Sequence, residues 1–168
     1  FIYFSAEDGD MDYYFIHDDS VSQIISAYTW LTGRMQMPPK WALGFQQCRY
    51  SYYPDTEVYA VAQGFRDKKM PADVIYLDIH HMEAYKVFTF DGEKFSDPKA
   101  MISRLKQKGF KVVVIMDPGI KTQVGYLPYD EGLDQDLFVK YPDGKVYEAQ
   151  VWPGWCAFPD FTKAETRS

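Results

Sequence analysis

From Trp41 onward, short apolar runs alternate with amphipathic helical segments, one helical segment separating the first run from the second and another the second from the third. Trp41 to Phe45 reads as a first strand, Asp73 to Ile79 as a second and Lys111 to Met116 as a third. A fourth is expected near Val151. Between the first two, Pro54-Asp55 opens a helix with Val58, Val61, Ala62 and Phe65 on one face. Between the next two, Asp97 is an N-cap with Pro98 at the first helical position, and Met101, Ile102 and Leu105 form the apolar stripe up to Gly109. The second strand is apolar on both faces, as strands covered on both sides are. Strands that follow one another through helices pair in parallel, with right-handed crossovers.

Periodicity alone does not separate a closed β/α barrel from an open doubly wound sheet. Open sheets of this kind usually cradle a nucleotide, yet no Gly-x-Gly-x-x-Gly follows any strand here, and no Gly-Lys-Ser/Thr phosphate loop occurs. A barrel is therefore favoured. A complete one takes about 250 residues, and the chain has 168. It lacks an initiator Met, and Thr166-Arg167-Ser168 reads as the start of a helix, so both ends are expected to continue in a longer protein. The architecture expected is α/β: the N-terminal portion of a (β/α)8 TIM barrel, about four strand-helix units with β-hairpin insertions.

Upstream, residues 11–16 are aromatic and β-rich and read as a strand. A helix is expected from Ser20, with Val21, Ile24, Ile25, Tyr28 and Leu31 on one face and Gly33 as its stop. Met37-Pro38-Pro39-Lys40 is a stiff connector that neither helix nor central strand accommodates, and an architectural boundary falls there. Two insertions follow strand C-termini. Residues 87–95 hold Asp91-Gly92 between aromatic runs, and residues 137–149 hold Pro142-Asp143-Gly144; both read as hairpins.

Charge and composition narrow the function. With 18 Lys and Arg against 24 Asp and Glu, the net charge of -6 argues against nucleic acid as a partner. No apolar run approaches the roughly 18 residues of a membrane helix. Cys48 and Cys156 form neither a disulfide framework nor a zinc spacing, and buried structural roles are expected for them. No serine lies in a Gly-x-Ser-x-Gly elbow.

Two carboxylates end consecutive strands, Asp78 and Asp117, where a side chain points into the mouth of a parallel sheet. Asp78 is the stronger candidate, because Asp117 precedes Pro118-Gly119 and is placed to fix that turn. His80 and His81 follow Asp78, but adjacent positions on an extended chain face opposite ways and no third ligand is evident. Hydrogen-bonded structural histidines are the reading preferred over a metal. Aromatics make up 18% of the chain, and several sit at strand ends: Tyr50 and Tyr52 after the first strand, Trp152 and Trp155 around Pro153-Gly154. Aromatic platforms beside carboxylates suit sugars, whose C–H faces stack while their hydroxyls need acceptors. For Trp155 taken alone, core packing is the better reading.

Several words in order resemble glycoside hydrolase family 31, the family of α-glucosidases and α-xylosidases. They are Met37-Pro38-Pro39-Lys40-Trp41-Ala42-Leu43-Gly44-Phe45 with Cys48-Arg49-Tyr50, then Leu77-Asp78-Ile79-His80-His81-Met82 and Val87-Phe88-Thr89-Phe90-Asp91. Asp117-Pro118-Gly119-Ile120, Val151-Trp152-Pro153-Gly154 and Phe158-Pro159-Asp160-Phe161-Thr162 complete the series. The resemblance implies residues 1–36 as the end of an N-terminal β-sandwich with its connecting helix, and residues 37–168 as the first half of the catalytic barrel. It implies that Asp78 hydrogen-bonds hydroxyls of the terminal non-reducing sugar, and that Tyr50, Ile79, Ile120 and Trp152 wall that pocket. Many members have Asp where His80 stands and Asp-Gly where Glu83-Ala84 stand, which alters the turn chemistry of that loop. The family's nucleophile and acid/base segments do not occur here, so no catalytic residue, metal or cofactor is expected in the chain. The partners implied are an oligosaccharide or α-glycoside, and either the C-terminal half of the barrel or a second copy of the chain. A non-catalytic carbohydrate-binding or scaffold half-barrel is the alternative. The compartment is not legible.

Overall fold

The computed structural model describes residues 1–167. The described residues fall into two compact units, Phe1–Pro38 and a second from Pro39 onward. In the first, helix α1 (Val21–Thr32) starts where Ser20 accepts a hydrogen bond from the Gln23 N–H, and it stops at Gly33, whose φ of +91° is left-handed territory. None of α1's residues is buried. Residues 11–16, expected as a strand, have no ladder partner among the described residues. A lone strand leaves its N–H and C=O groups to water and gains nothing over coil.

The second unit is built on a parallel three-stranded sheet in the order β1–β2–β3. Strand β1 (Gln46–Gln47) pairs with β2 (Val74–Leu77) through helix α2 (Asp55–Asp67). Strand β2 pairs in turn with β3 (Lys111–Val114) through α3 (Pro98–Gln107), with Val74 opposite Lys111 and Leu77 opposite Val114. Val58 and Ala62 of α2 and Met101 and Leu105 of α3 bury against Ile75, Leu77 and Phe110. Asp97 caps α3 by accepting the Ala100 N–H at 2.8 Å. These two βαβ units are the expected alternation, with β1 and β3 at the edges of the sheet.

The first strand lies five residues later than expected. Trp41 to Phe45 is mostly a 3-10 turn, Lys40–Leu43, which the Pro38-Pro39 pair starts by leaving the Pro39 carbonyl to accept the Ala42 N–H at 2.9 Å. The strand passes to Gln46 and Gln47 because ladder bonds to β2 outweigh their low β-propensity. The second and third strands are shorter than expected, and Ile102 of the supposed buried stripe is 40% exposed.

A second, antiparallel sheet holds β4 (Ile120–Lys121), β5 (Glu148–Val151) and β6 (Gly154–Ala157), in the order β4–β6–β5. The segment near Val151 is therefore one arm of a hairpin and not a fourth parallel strand. Its two-residue loop, Trp152 and Pro153, joins neighbours whose backbones pair as Val151 with Gly154. Residues 137–149 do form a hairpin-like turn, with the Tyr141 N–H donating to the Lys145 carbonyl at 2.8 Å. Residues 87–95 do not pair as strands. Asp91 instead folds them into a tight turn by accepting the N–H groups of Glu93 and Lys94. Helix α4 (Leu127–Asp134) is unanticipated, and the short α5 (Ala164–Arg167) covers the described part of the expected C-terminal helix, Ser168 lying outside the described residues. Cys156 is buried as expected, whereas Cys48 is exposed. No helix among the described residues is long and apolar enough to cross a membrane.

Arg66, in the last turn of α2, ties the core together. Its Nε donates to the Lys108 carbonyl at 2.8 Å and a terminal nitrogen donates to the Ala72 carbonyl at 3.0 Å. The guanidinium lies 3.9 Å from the centre of the buried Phe110 ring. Replacing Arg66 with Ala should lower unfolding free energy by about 2–3 kcal/mol, the sum of two hydrogen bonds and a cation–π contact. A urea titration checks this. Arg66→Lys should recover only part, because an ammonium lacks the planar fork.

Candidate functional site

The site assembles at the C-terminal ends of the parallel strands. Alternation along β2 turns Ile75 and Leu77 toward the helices and sends Val74, Tyr76 and Asp78 to the other face. The chain turns at Asp78 into a single 3-10 turn, Ile79–His81, because the carboxylate Oδ1 accepts the Ile79 N–H at 2.7 Å. No donor among the described residues engages Oδ2 of this half-buried carboxylate. It can accept hydrogen bonds from a ligand without breaking any bond that holds the turn.

His81 and His80 part company, as adjacent residues should. His81 is 4% exposed, its Nδ1 2.9 Å from the Asp78 carbonyl and its ring against Phe90. Burial pushes its imidazole below the ordinary range, against the smaller opposing pull of the Asp78 carbonyl and carboxylate. His80 points instead to the segment after β1, with Ser51 Oγ 2.8 Å from its Nδ1 and the rings of Tyr50, Tyr53 and Tyr85 around it. No group of three metal-ligating side chains forms among the described residues.

Tyr50 is 67% exposed and Trp152 is 61% exposed at the tip of the β5–β6 hairpin, so both offer ring faces to solvent. Tyr52 is buried, its hydroxyl accepting from Gln47 Nε2 at 2.7 Å, and belongs to the core. Trp155, for which core packing was the better reading, lies on the open face of β6, which hydrogen-bonds on both edges but leaves that face uncovered. Ile79 and Ile120 are both almost fully buried in one cluster with Met82, Val87, Tyr126 and Phe138. They back the surface and present little of it. Ile115 and Met116, overlooked in the sequence, are the exposed apolar residues at the end of β3. The Ile115 N–H donates to the Leu77 carbonyl at 3.0 Å, which sets it beside Asp78. Position at a strand's end was the signal that marked Asp78, and it marks Ile115 equally.

Asp117 lines a cleft of about 640 Å³ together with Phe88, Ile120, Leu137 and Phe161. Its Oδ2 is buried without a hydrogen-bond partner among the described residues. Asp117 also helps raise the Cys156 thiol, though burial is the larger cause.

The loop that follows Asp78 is held from both sides. The Tyr126 hydroxyl donates to the Val87 carbonyl at 2.6 Å, and burial pushes this phenol up to about 12, so it remains a donor. Lys94 pairs with Asp91 at 2.8 Å, lowering that carboxyl, and lies 5.3 Å over the Tyr53 ring. Ala84 and Tyr85 adopt left-handed backbone, with φ of +47° and +60°. At Ala84, where relatives were expected to carry glycine, this conformation costs about 1 kcal/mol.

Parallel strands joined by helices, with a carboxylate just past the end of β2, are the arrangement of part of a β/α barrel. The chain belongs to glycoside hydrolase family 31: residues 35–168 match the glycosyl hydrolases family 31 TIM-barrel domain. It is 52% identical over 164 residues to "Alpha-glucosidase 2" of Bacillus thermoamyloliquefaciens, covering 98% of this chain and 21% of that protein. Its fold matches the crystal structure of glucosidase II alpha subunit in its alpha3-Glc2-bound form with a TM-score of 0.82 and 40% identity, over 85% of this chain and 16% of that one. A family 31 alpha-glucosidase from Bacteroides thetaiotaomicron gives a TM-score of 0.78 and 44% identity, over 86% and 24%. The chain thus spans about a fifth of the length of these relatives.

His81 makes stability depend on pH. Its folded pKa is depressed, so the unfolded chain binds more protons once the pH falls through the ordinary imidazole range near 6.5. Stability should therefore decline between about pH 7 and 5, and His81→Asn should flatten that slope. Urea midpoints at a series of pH values measure it.

Proposed function

We propose that this chain supplies the glycone-pocket part of a retaining α-glycosidase, of α-glucosidase type, acting on terminal non-reducing α-linked sugars. Asp78 carries the reading: a strand-end carboxylate fixed by one oxygen, with the other open to hydroxyl donors, in a member of family 31. The names of the relatives support the substrate class, since one is an alpha-glucosidase and another was crystallised with alpha3-Glc2. In this reading residues 1–36 end a β-sandwich and residues 37–168 open the catalytic barrel. The remainder of the barrel continues from the outer edge of β3.

Hydroxyl-to-carboxylate hydrogen bonds are charge-assisted and orient the sugar ring. As the ring gains positive, oxocarbenium-like character, the fixed negative charge of Asp78 stabilises it further, which contributes to rate as well as affinity. Tyr50 and Trp152 supply faces for the C–H surfaces of the sugar. Ile79 and Ile120 keep the wall behind Asp78 rigid. Retention requires two carboxyl groups about 5–5.5 Å apart. Neither Asp117 nor Asp160 is assigned to that pair, because the segments around them match no reacting motif.

Asp78→Ala in the full-length protein should lower kcat/KM for p-nitrophenyl α-glucoside by about a hundredfold or more, with Asp78→Asn intermediate. An unchanged value removes Asp78 from the pocket. Residues 1–168 produced alone should release no p-nitrophenol, and measurable release would show that the reacting carboxyls lie within them.

A further inference from the structure

The structure assigns His80 a positioning role: its imidazole holds the exposed Tyr50 ring as a fixed wall beside Asp78. This rests on the sugar-pocket reading of Tyr50. A phenol that is 67% exposed on a loop would ordinarily exchange among rotamers. Here the Tyr50 ring meets the His80 ring edge-on, 5.0 Å between centres and 79° between planes. Among the described residues, His80 is the one ring in contact with it.

His80 is itself held on its other sides. Tyr53 stacks on its face at 4.9 Å and 11°, Tyr85 meets its edge at 5.5 Å and 81°, and Ser51 Oγ lies 2.8 Å from Nδ1. Each support is anchored in turn. Ser51 is 5% exposed, and its carbonyl accepts from Arg49 Nε at 3.2 Å. Arg49 pairs with Glu57 of α2, and the Lys94 ammonium lies over Tyr53. His80 stands two residues after Asp78, so one short turn carries both the hydroxyl acceptor and the support of the aromatic wall. A bulky ring held before the sugar arrives need not be ordered by binding, which favours affinity.

A double-mutant cycle in the full-length protein separates positioning from general structural support. With p-nitrophenyl α-glucoside, H80A should lower kcat/KM about tenfold, mainly through KM, and H80F, which keeps a ring in the nest, should recover most of it. Y50A should lose a similar factor, and H80A/Y50A should be no worse than Y50A alone, because His80 acts through Tyr50. Multiplied losses in the double variant overturn the proposal. Should H80A not fold, S51A with Y50A runs the same cycle with a smaller single effect in the same direction. Crystal structures of wild type and H80A, or of S51A in its place, give a readout that needs no turnover. The Tyr50 ring should be ordered in the first and displaced or unresolved in the second, and an unmoved ring overturns the assignment. A wild type that hydrolyses no α-glucoside overturns the α-glucosidase reading, and the ring position then decides the role of His80 by itself.

Discussion

One guanidinium sets the frame on which the strand ends depend. Arg66 donates to the Ala72 carbonyl just before β2 and to the Lys108 carbonyl just after α3, while covering Phe110. Those carbonyls belong to the two chain entries that must come level for β2 and β3 to pair in register. The Lys111 N–H then reaches the Asp73 carbonyl at 2.8 Å, and the ladder runs from Val74 opposite Lys111 to Leu77 opposite Val114. Bonding the carbonyls to a cation that also lies on an aromatic face leaves neither oxygen wanting a donor as the helices close over it.

A parallel ladder in register has a chemical consequence at its far end. Neighbouring strands end together, so the residues after Leu77 and Val114 emerge side by side. Asp78 and Ile115 become neighbours although 37 positions separate them in sequence. The acceptor is polar and the neighbour apolar, which is the pairing that the proposed sugar pocket would need for a hydroxyl edge and a C–H face. Asp78 shapes its own turn through Oδ1, and in the proposed pocket the division between its two oxygens lets one residue be scaffold and ligand acceptor together.

The sequence made the βαβ repeats legible because each signal was local: an Asp-Pro cap before α3, apolar residues at helical spacing, and unbroken Val-rich strands. It misplaced β1, since two glutamines carry no strand preference and are recruited by the backbone edge of Val74 and Ile75. Helix α4 escaped notice because Leu127-Pro128 and Gly132 look like loop chemistry. It is stabilised instead by tertiary contacts around Tyr129 and Phe138, whose rings stack at 5.9 Å. Asp78 was visible as a strand-end carboxylate. The nest around His80 was not, because Ser51 and Tyr53 come to it from before α2, across 29 and 27 residues of chain. No period in the sequence encodes a contact that only the crossover creates.

The same distinction separates the strands from the loop after β2. Within the strands, apolar segments hold the register that aligns Asp78 with Ile115. In the loop after β2 the chain carries His80 and Glu83-Ala84, positions at which the resemblance implies Asp and Asp-Gly in many members. Ala84 keeps the left-handed backbone a glycine would adopt freely. That strain is tolerated because neighbouring contacts over-determine the loop: the Glu83 N–H donates to Thr89 Oγ1, Lys86 pairs with Glu83, and Tyr126 holds Val87. An aspartate at position 80 would place a second negative charge beside Asp78 and could not stack on Tyr53. An imidazole there instead lets four aromatic rings converge next to the carboxylate. The rim of this loop is therefore aromatic where it meets the carboxylate, built by rings that two chain segments, one after β1 and one after β2, bring together.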